Sequence, residues 1–149
     1  MEALMRPRQL CDFEGVWAFR REIVEAQGAP IFVLGQTLWS PGEAGLVCEE
    51  TGVLQKPGHP PMQVGRRTFW GPDLSVRFAD GRVFHQVPGL GGAVSHWCDP
   101  DQYDGTYDFS EWPAFTVVWR VRGPRKDYQM QTRYWRRGDL SDERETRTD

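Results

Sequence analysis

The sequence predicts an all-β domain, a single antiparallel up-and-down barrel of eight to ten strands with a short N-terminal helix. Three observations lead there. Aromatic residues make up 13% of the chain, and such side chains fit a pleated, half-buried surface. Sixteen Gly and eleven Pro cut the 149 residues into short runs, and within most runs apolar residues alternate with polar ones. The runs follow one another through short turns, with no helical crossover and no internal repeat. An antiparallel sheet of that length tends to remove its edges by closing, and closure leaves an interior that holds side chains or one small ligand.

The first ten or so residues suit a short helix, with Leu4, Met5 and Leu10 available to cover one end of the core. From there the period is two. Phe13, Gly15, Trp17, Phe19 and Ile23 mark one side of a long first strand, with Glu14, Arg20 and Glu22 on the other. Gln27-Gly28-Ala29-Pro30 turns into a second strand from Ile31 to Trp39, and Ser40-Pro41-Gly42 turns into a third from about Ala44 to Leu54. The stretch from Lys56 to Pro61 is too rich in proline to pair. Strands at about 63–70 and 74–79 follow, and Asp80-Gly81 between apolar runs signals a hairpin. A two-residue turn there pairs Phe78 with Val83, Arg77 with Phe84 and Val76 with His85. It places Val76, Phe78, Val83 and His85 on the inward face and Arg82 outside.

After a glycine-rich loop at Pro88–Gly92, strands are expected near 93–98 and 102–109, with Tyr103, Gly105, Tyr107 and Phe109 in phase. Phe115, Val117, Trp119 and Val121 define the next strand. Beyond the Gly123-Pro124 turn the inner set is Tyr128, Met130, Thr132 and Tyr134, with Arg136 in the same phase. From Gly138 onward five acids outnumber two bases beside one apolar residue, Leu140, a composition expected to stay disordered. The barrel domain is therefore assigned to 1–137 and a polar tail to 138–149.

A net charge of −3 argues against nucleic acid as a partner. Cys11, Cys48 and Cys98 are odd in number and far apart, which suits reduced thiols in a cytoplasm. The first residues lack the apolar core of a secretory leader, and no stretch approaches the roughly 20 apolar residues of a membrane helix. The expectation is a soluble cytoplasmic protein with no membrane or nucleic-acid partner, a homodimer being left open.

Phe13-Glu14-Gly15-Val16-Trp17 resembles the first-strand Gly-x-Trp signature of the calycins, the lipocalins and fatty-acid-binding proteins. In that superfamily the tryptophan closes one barrel end under a basic residue of the last strand. The resemblance implies that Arg136 stacks on Trp17, a contact worth about 0.5–2 kcal/mol. A closer resemblance runs from about Phe13 to Arg136, to a bacterial and fungal family of calycin-like domains of unassigned function. It is carried by Gly15-Val16-Trp17 with Arg21-Glu22-Ile23, by Phe78-Ala79-Asp80-Gly81-Arg82-Val83-Phe84-His85, by His96-Trp97-Cys98-Asp99-Pro100-Asp101-Gln102-Tyr103, and by Trp119 to Tyr128. It implies a lipocalin-like barrel and brings no activity with it. The nitrobindins, another calycin-like branch, bind haem through a late histidine. Here Ala18 and Phe19 follow Trp17 and no histidine lies beyond His96. Haem would have to come through His85 or His96, and no cofactor is expected.

Several residues could carry chemistry. His85 on an inward face is either a core histidine held by a neighbour or a donor or base for a ligand, with Val76 opposite and Tyr103 near in phase. Trp119 and Tyr128 belong to the neighbouring inward sets and join the candidate ligand-binding residues. His96, Cys98 and Asp101 could join His85 as zinc ligands, but the spacing fits no standard module, so no metal is expected. Asp99-Pro100-Asp101 reads as turn chemistry. Arg125 and Lys126 sit in a tight turn at a barrel mouth, as solvated charges or as an anion clamp for a carboxylate or phosphate, with Arg66-Arg67 and Arg82 able to add to it. Tyr134-Trp135-Arg136-Arg137 mixes rings with bases as single-strand binders do, but strand alternation already explains it.

Three functions follow: a binder of a small, partly apolar and in one version anionic molecule; a lyase, isomerase or cyclase with His85 as base and Tyr103 as proton donor; or a filled barrel that works through its surface.

Overall fold

The computed structural model describes residues 6–137. Ten strands form one antiparallel sheet: β1 Gly15–Glu25, β2 Ile31–Pro41, β3 Leu46–Gln55, β4 Met62–Trp70, β5 Ser75–Phe78, β6 Val83–Gln86, β7 Gly92–Cys98, β8 Asp101–Asp108, β9 Phe115–Arg122 and β10 Asp127–Arg136. The order is β6-β5-β4-β3-β2-β1-β10-β9-β8-β7. Every neighbour is adjacent in sequence except β1 and β10, whose pairing rolls the meander into a nearly closed barrel. No ladder joins β6 to β7. Side chains close that seam instead, with the Phe84 ring 5.5 Å from His96 and Arg82 Nη1 3.8 Å from Cys98 Sγ.

Among the described residues, one turn of 3-10 helix, Leu10–Asp12, precedes β1. The segment with Leu4 and Met5, and the tail from Gly138, lie outside the described residues. No helix among the described residues is long and apolar enough to cross a membrane.

The hairpin at Asp80-Gly81 departs from its expected register. Phe78 N–H donates to Arg82 O and Gly81 N–H to Phe78 O, so the loop has three residues with Gly81 at φ +93°, a conformation that suits glycine. Arg77 then pairs with Val83 rather than Phe84, and Phe78 sits opposite Arg82. A bulge between Val76 and Arg77 absorbs the extra residue and returns Val76 to His85. Because a bulge breaks the alternation of faces, Phe84 and His85 are both buried while Val83 is exposed. The correction is that Phe84, not Val83, belongs to the interior.

One end of the barrel is packed shut. The Phe13 ring lies 5.1–6.0 Å from those of Trp39, Trp70, Phe109, Trp112 and Phe115. Trp17 Nε1–H donates to Phe13 O at 2.8 Å. Arg136 lies over the Trp17 ring at 4.2 Å and donates to the carbonyls of Glu14 and Asp12, at 2.7 Å each. Gly15 makes that geometry available: its φ is +122°, and a Cβ there would stand 2.7 Å from Arg136 Nη1. This is the physical content of Gly-x-Trp in this chain. Buried aromatic rings each remove a large apolar area from water, so this end supplies much of the apolar burial.

Candidate functional site

Past Trp17 the inward phase changes character. On β1 it continues through Phe19 to Arg21 and Ile23; on β3 it carries Cys48 and Glu50; on β4 it carries Val64, Arg66 and Thr68. Register brings the polar members together, since Arg21 pairs with Thr132 and Glu50 with Arg66. Arg21 Nη2 donates to Glu50 Oε1 at 2.8 Å, and its Nε donates to Thr132 Oγ1 at 2.7 Å. Tyr134 O–H donates to Glu50 Oε2 at 2.6 Å. Arg66 Nη2 reaches Glu50 Oε1 at 3.4 Å.

Burial alone would raise the Glu50 carboxyl, but the charges of Arg66 and Arg21 and the bonds from Tyr134 and Arg21 outweigh it and hold it at about 2. The same carboxylate raises Arg66 further. Burial pushes the Cys48 thiol up, so it is no nucleophile. Two guanidiniums thus face one carboxylate, leaving the layer with a surplus positive charge. Arg21 is largely buried and spends its donors on Glu50 and Thr132. Arg66 is 48% exposed and makes one long contact.

This layer is the floor of an apolar mouth of about 220 Å3, walled by Ile23, Val33, Leu54, Val64 and Met130. Behind it lies a smaller chamber of about 40 Å3. Arg21, Glu50, Arg66 and Met130 line both spaces, and Trp39, Cys48, Thr68, His85, Tyr107 and Trp119 help to wall the chamber. The interior is therefore neither an open tube nor a solid core.

His85 reaches the chamber through the β5–β6 bulge. Its Nε2 lies 2.8 Å from the Tyr107 hydroxyl. Burial, then the charges of Arg66 and His96, push its pKa down to about 3, so the ring is neutral near pH 7. Burial raises the Tyr107 phenol, which keeps its proton. The arrangement that leaves the fewest buried groups unpaired has Tyr107 donating to Nε2 and the ring proton on Nδ1. Nδ1–H and Trp39 Nε1–H are both buried without a protein partner. Each such orphan costs about 1–3 kcal/mol.

The residues singled out from sequence separate into groups. His85 and Trp119 line the chamber. His96 and Tyr103 pair across β7–β8 at the seam, and neither lines the chamber. Tyr103 accepts from Lys126 Nζ at 3.4 Å, and Lys126 also pairs with Asp101 at 3.1 Å. Its charge is thus already matched, and Arg125 beside it borders a separate hollow with Pro100 and Pro124. Tyr128 is half-buried opposite Val121. Trp17 and Arg136 sit at the shut end. Arg82 is exposed and pairs with Asp80. Among the described residues no three His, Cys, Asp or Glu side chains gather where a metal could be held.

Arg21, Glu50, Cys48 and Trp39 were not read as site residues from sequence, and Arg66 only as an accessory. The signal was phase. Arg21 stands two residues past Phe19, and Glu50 two past Cys48, each on a side otherwise marked by apolar residues.

Over residues 13–136 the chain matches a family described as one of unknown function, DUF6314. Among solved structures it is similar to a protein of unknown function of the DUF3598 family from Nostoc punctiforme, with a TM-score of 0.51 and 12% identity. The alignment covers 88% of this chain and 49% of that one, so the chain spans about half the length of that protein. At this identity the likeness concerns the fold alone. Comparison with curated proteins gives no match.

Proposed function

This chain belongs to the DUF6314 family of unknown function, and we propose that its barrel binds a small amphipathic anion through the open end. The observation that carries this is the charge imbalance at the floor of an apolar mouth: Arg21 and Arg66 against Glu50, with Arg66 half-exposed and holding Glu50 at only 3.4 Å. An anion taken out of water needs a charged, hydrogen-bonded partner, and a guanidinium fork supplies one. The ligand's apolar part would rest on Ile23, Leu54, Val64 and Met130. A mouth of about 220 Å3 is smaller than the roughly 300–1,000 Å3 of drug-sized pockets, which favours a short chain. The calycin kinship suggested by Gly15 and Trp17 is consistent with this reading, because barrels of that superfamily hold small ligands.

The acid–base reading gains no support from the geometry. His85 takes Tyr107 as its partner and Tyr103 takes Lys126, so the two expected catalytic groups do not address one site. The anion clamp is retained, but in the lumen at Arg66 rather than in the Arg125-Lys126 turn.

Isothermal titration with octanoate tests the proposal. The wild type should bind, and Arg66→Met, which keeps a long apolar stem, should weaken binding about tenfold or more. Unchanged affinity in Arg66→Met would exclude Arg66 as the anion's partner. Absence of heat with the wild type would count against the mouth as the site for such a ligand.

A further inference from the structure

We infer that the small chamber behind Arg66 is the head-group seat for the proposed ligand, and that it takes a carboxylate in preference to a phosphate or sulfate. This rests on the binding reading above and goes further, naming the chemical class of the head group and the groups that read it.

Three independent properties of the chamber lead to the same class. The first is its donors. His85 Nδ1–H and Trp39 Nε1–H belong to side chains that line the chamber, are more than nine-tenths buried, and have no protein acceptor. The acceptor in this wall is already taken, because Glu50 accepts on both oxygens from Arg21, Arg66 and Tyr134. A guest that completes the wall must therefore accept hydrogen bonds, which a carboxylate does with two oxygens.

The second is size. A single buried water needs about 10–15 Å3 of such space, so a chamber of about 40 Å3 has room for a carboxylate carbon and its pair of oxygens. A phosphate or sulfate asks for more room, with four oxygens around its centre, and Trp39, Trp70 and Tyr107 in the chamber wall are packed in the core.

The third is charge. Arg21 and Arg66 exceed Glu50 by a single positive charge, and His85 adds none while neutral. That balances a carboxylate. A phosphate monoester brings about −1.5 to −2 at pH 7 and would leave negative charge buried beside Glu50.

Calorimetry at one ionic strength with octanoate, octyl sulfate, octyl phosphate and octanol tests the inference against the wild type and Trp39→Phe. That substitution keeps an aromatic ring and removes the N–H. The wild type should bind octanoate about tenfold or more tighter than either tetrahedral anion, and Trp39→Phe should lose most of that preference. Equal affinity of the wild type for octanoate and octyl phosphate would overturn the carboxylate seat and leave the anion-binding mouth intact. If no anion binds better than octanol, the mouth reading fails and this inference fails with it. A Trp39→Phe protein that folds and keeps the full preference would remove the donor pair from the account. His85→Gln, read in the same way, tests the other donor should Trp39→Phe not fold.

Discussion

The two ends of the barrel are built from the same strands and the same alternation, yet they hold opposite materials. At the shut end Phe13, Trp17, Trp112 and Phe115 crowd ring against ring, and Arg136 caps them from the last strand. A few residues along, the inward positions of β1, β3 and β4 become Arg21, Glu50 and Arg66, and the space between them stays open. The difference shows a division of labour along one core. Dense apolar burial at one end offsets the ordering of the chain. The other end is thereby free to keep charges and unpaired donors that a uniformly packed barrel would not tolerate.

The largest test of that division is Trp17→Ala. It removes a fully buried indole together with the bond to Phe13 O and the ring beneath Arg136, and should cost about 3–5 kcal/mol in urea denaturation. A cost below about 1 kcal/mol, within the scatter of ordinary surface changes, would mean the shut end is not where stability resides.

Acid sharpens the comparison, because the open end holds the titrating groups. His85 takes a proton at about 6.5 when unfolded but only at about 3 when folded. Between those values the unfolded state binds more protons, so stability falls as pH drops, by about 3 kcal/mol at pH 4. Glu50 adds to the loss as pH falls from the ordinary carboxylate value of 4.5 through about 2, because its depressed pKa stabilises the fold only while the carboxylate is ionised. Denaturation midpoints should therefore decline from about pH 6.5 downward, and His85→Gln should delay the decline until Glu50 begins to titrate. A His85→Gln protein with an unchanged acid profile would show that the histidine is not held neutral.

The smallest expected effect contrasts neighbours. Arg67 points outward and pairs with exposed Glu49 at 2.7 Å, whereas Arg66 faces the lumen. Arg67→Ala should change stability by under about 1 kcal/mol and leave octanoate binding as it is. A binding loss as large as that of Arg66→Met would mean that general positive charge, not a seated guanidinium, draws the anion.

Much of the fold was legible because alternation and turn residues are local signals. The strand runs and the Trp17–Arg136 phase relation follow from counting by twos. The candidate site was less legible for physical reasons that specific residues make plain. Arg21 and Glu50 are charges in an inward phase, where sequence reasoning expects apolar groups. Only the register that sets Arg21 beside Thr132, and Glu50 beside Arg66 and Tyr134, explains why they are tolerated there. The hairpin shows another limit. A three-residue loop and a bulge offset each other, so Val76 met His85 as expected while Phe84 moved inside unannounced. Lys126 looked like a free cation until Asp101, brought beside it by the fold, was found paired to it.

The most direct test of the central claim is an NMR titration with octanoate, following the indole N–H signals of the tryptophans. The Trp39 indole proton should shift strongly as it gains an acceptor, while the Trp17 indole, held by Phe13 O at 2.8 Å, barely moves. Saturable shifts confined to Trp17 and the shut end, or to surface Trp97, with Trp39 unmoved, would contradict it.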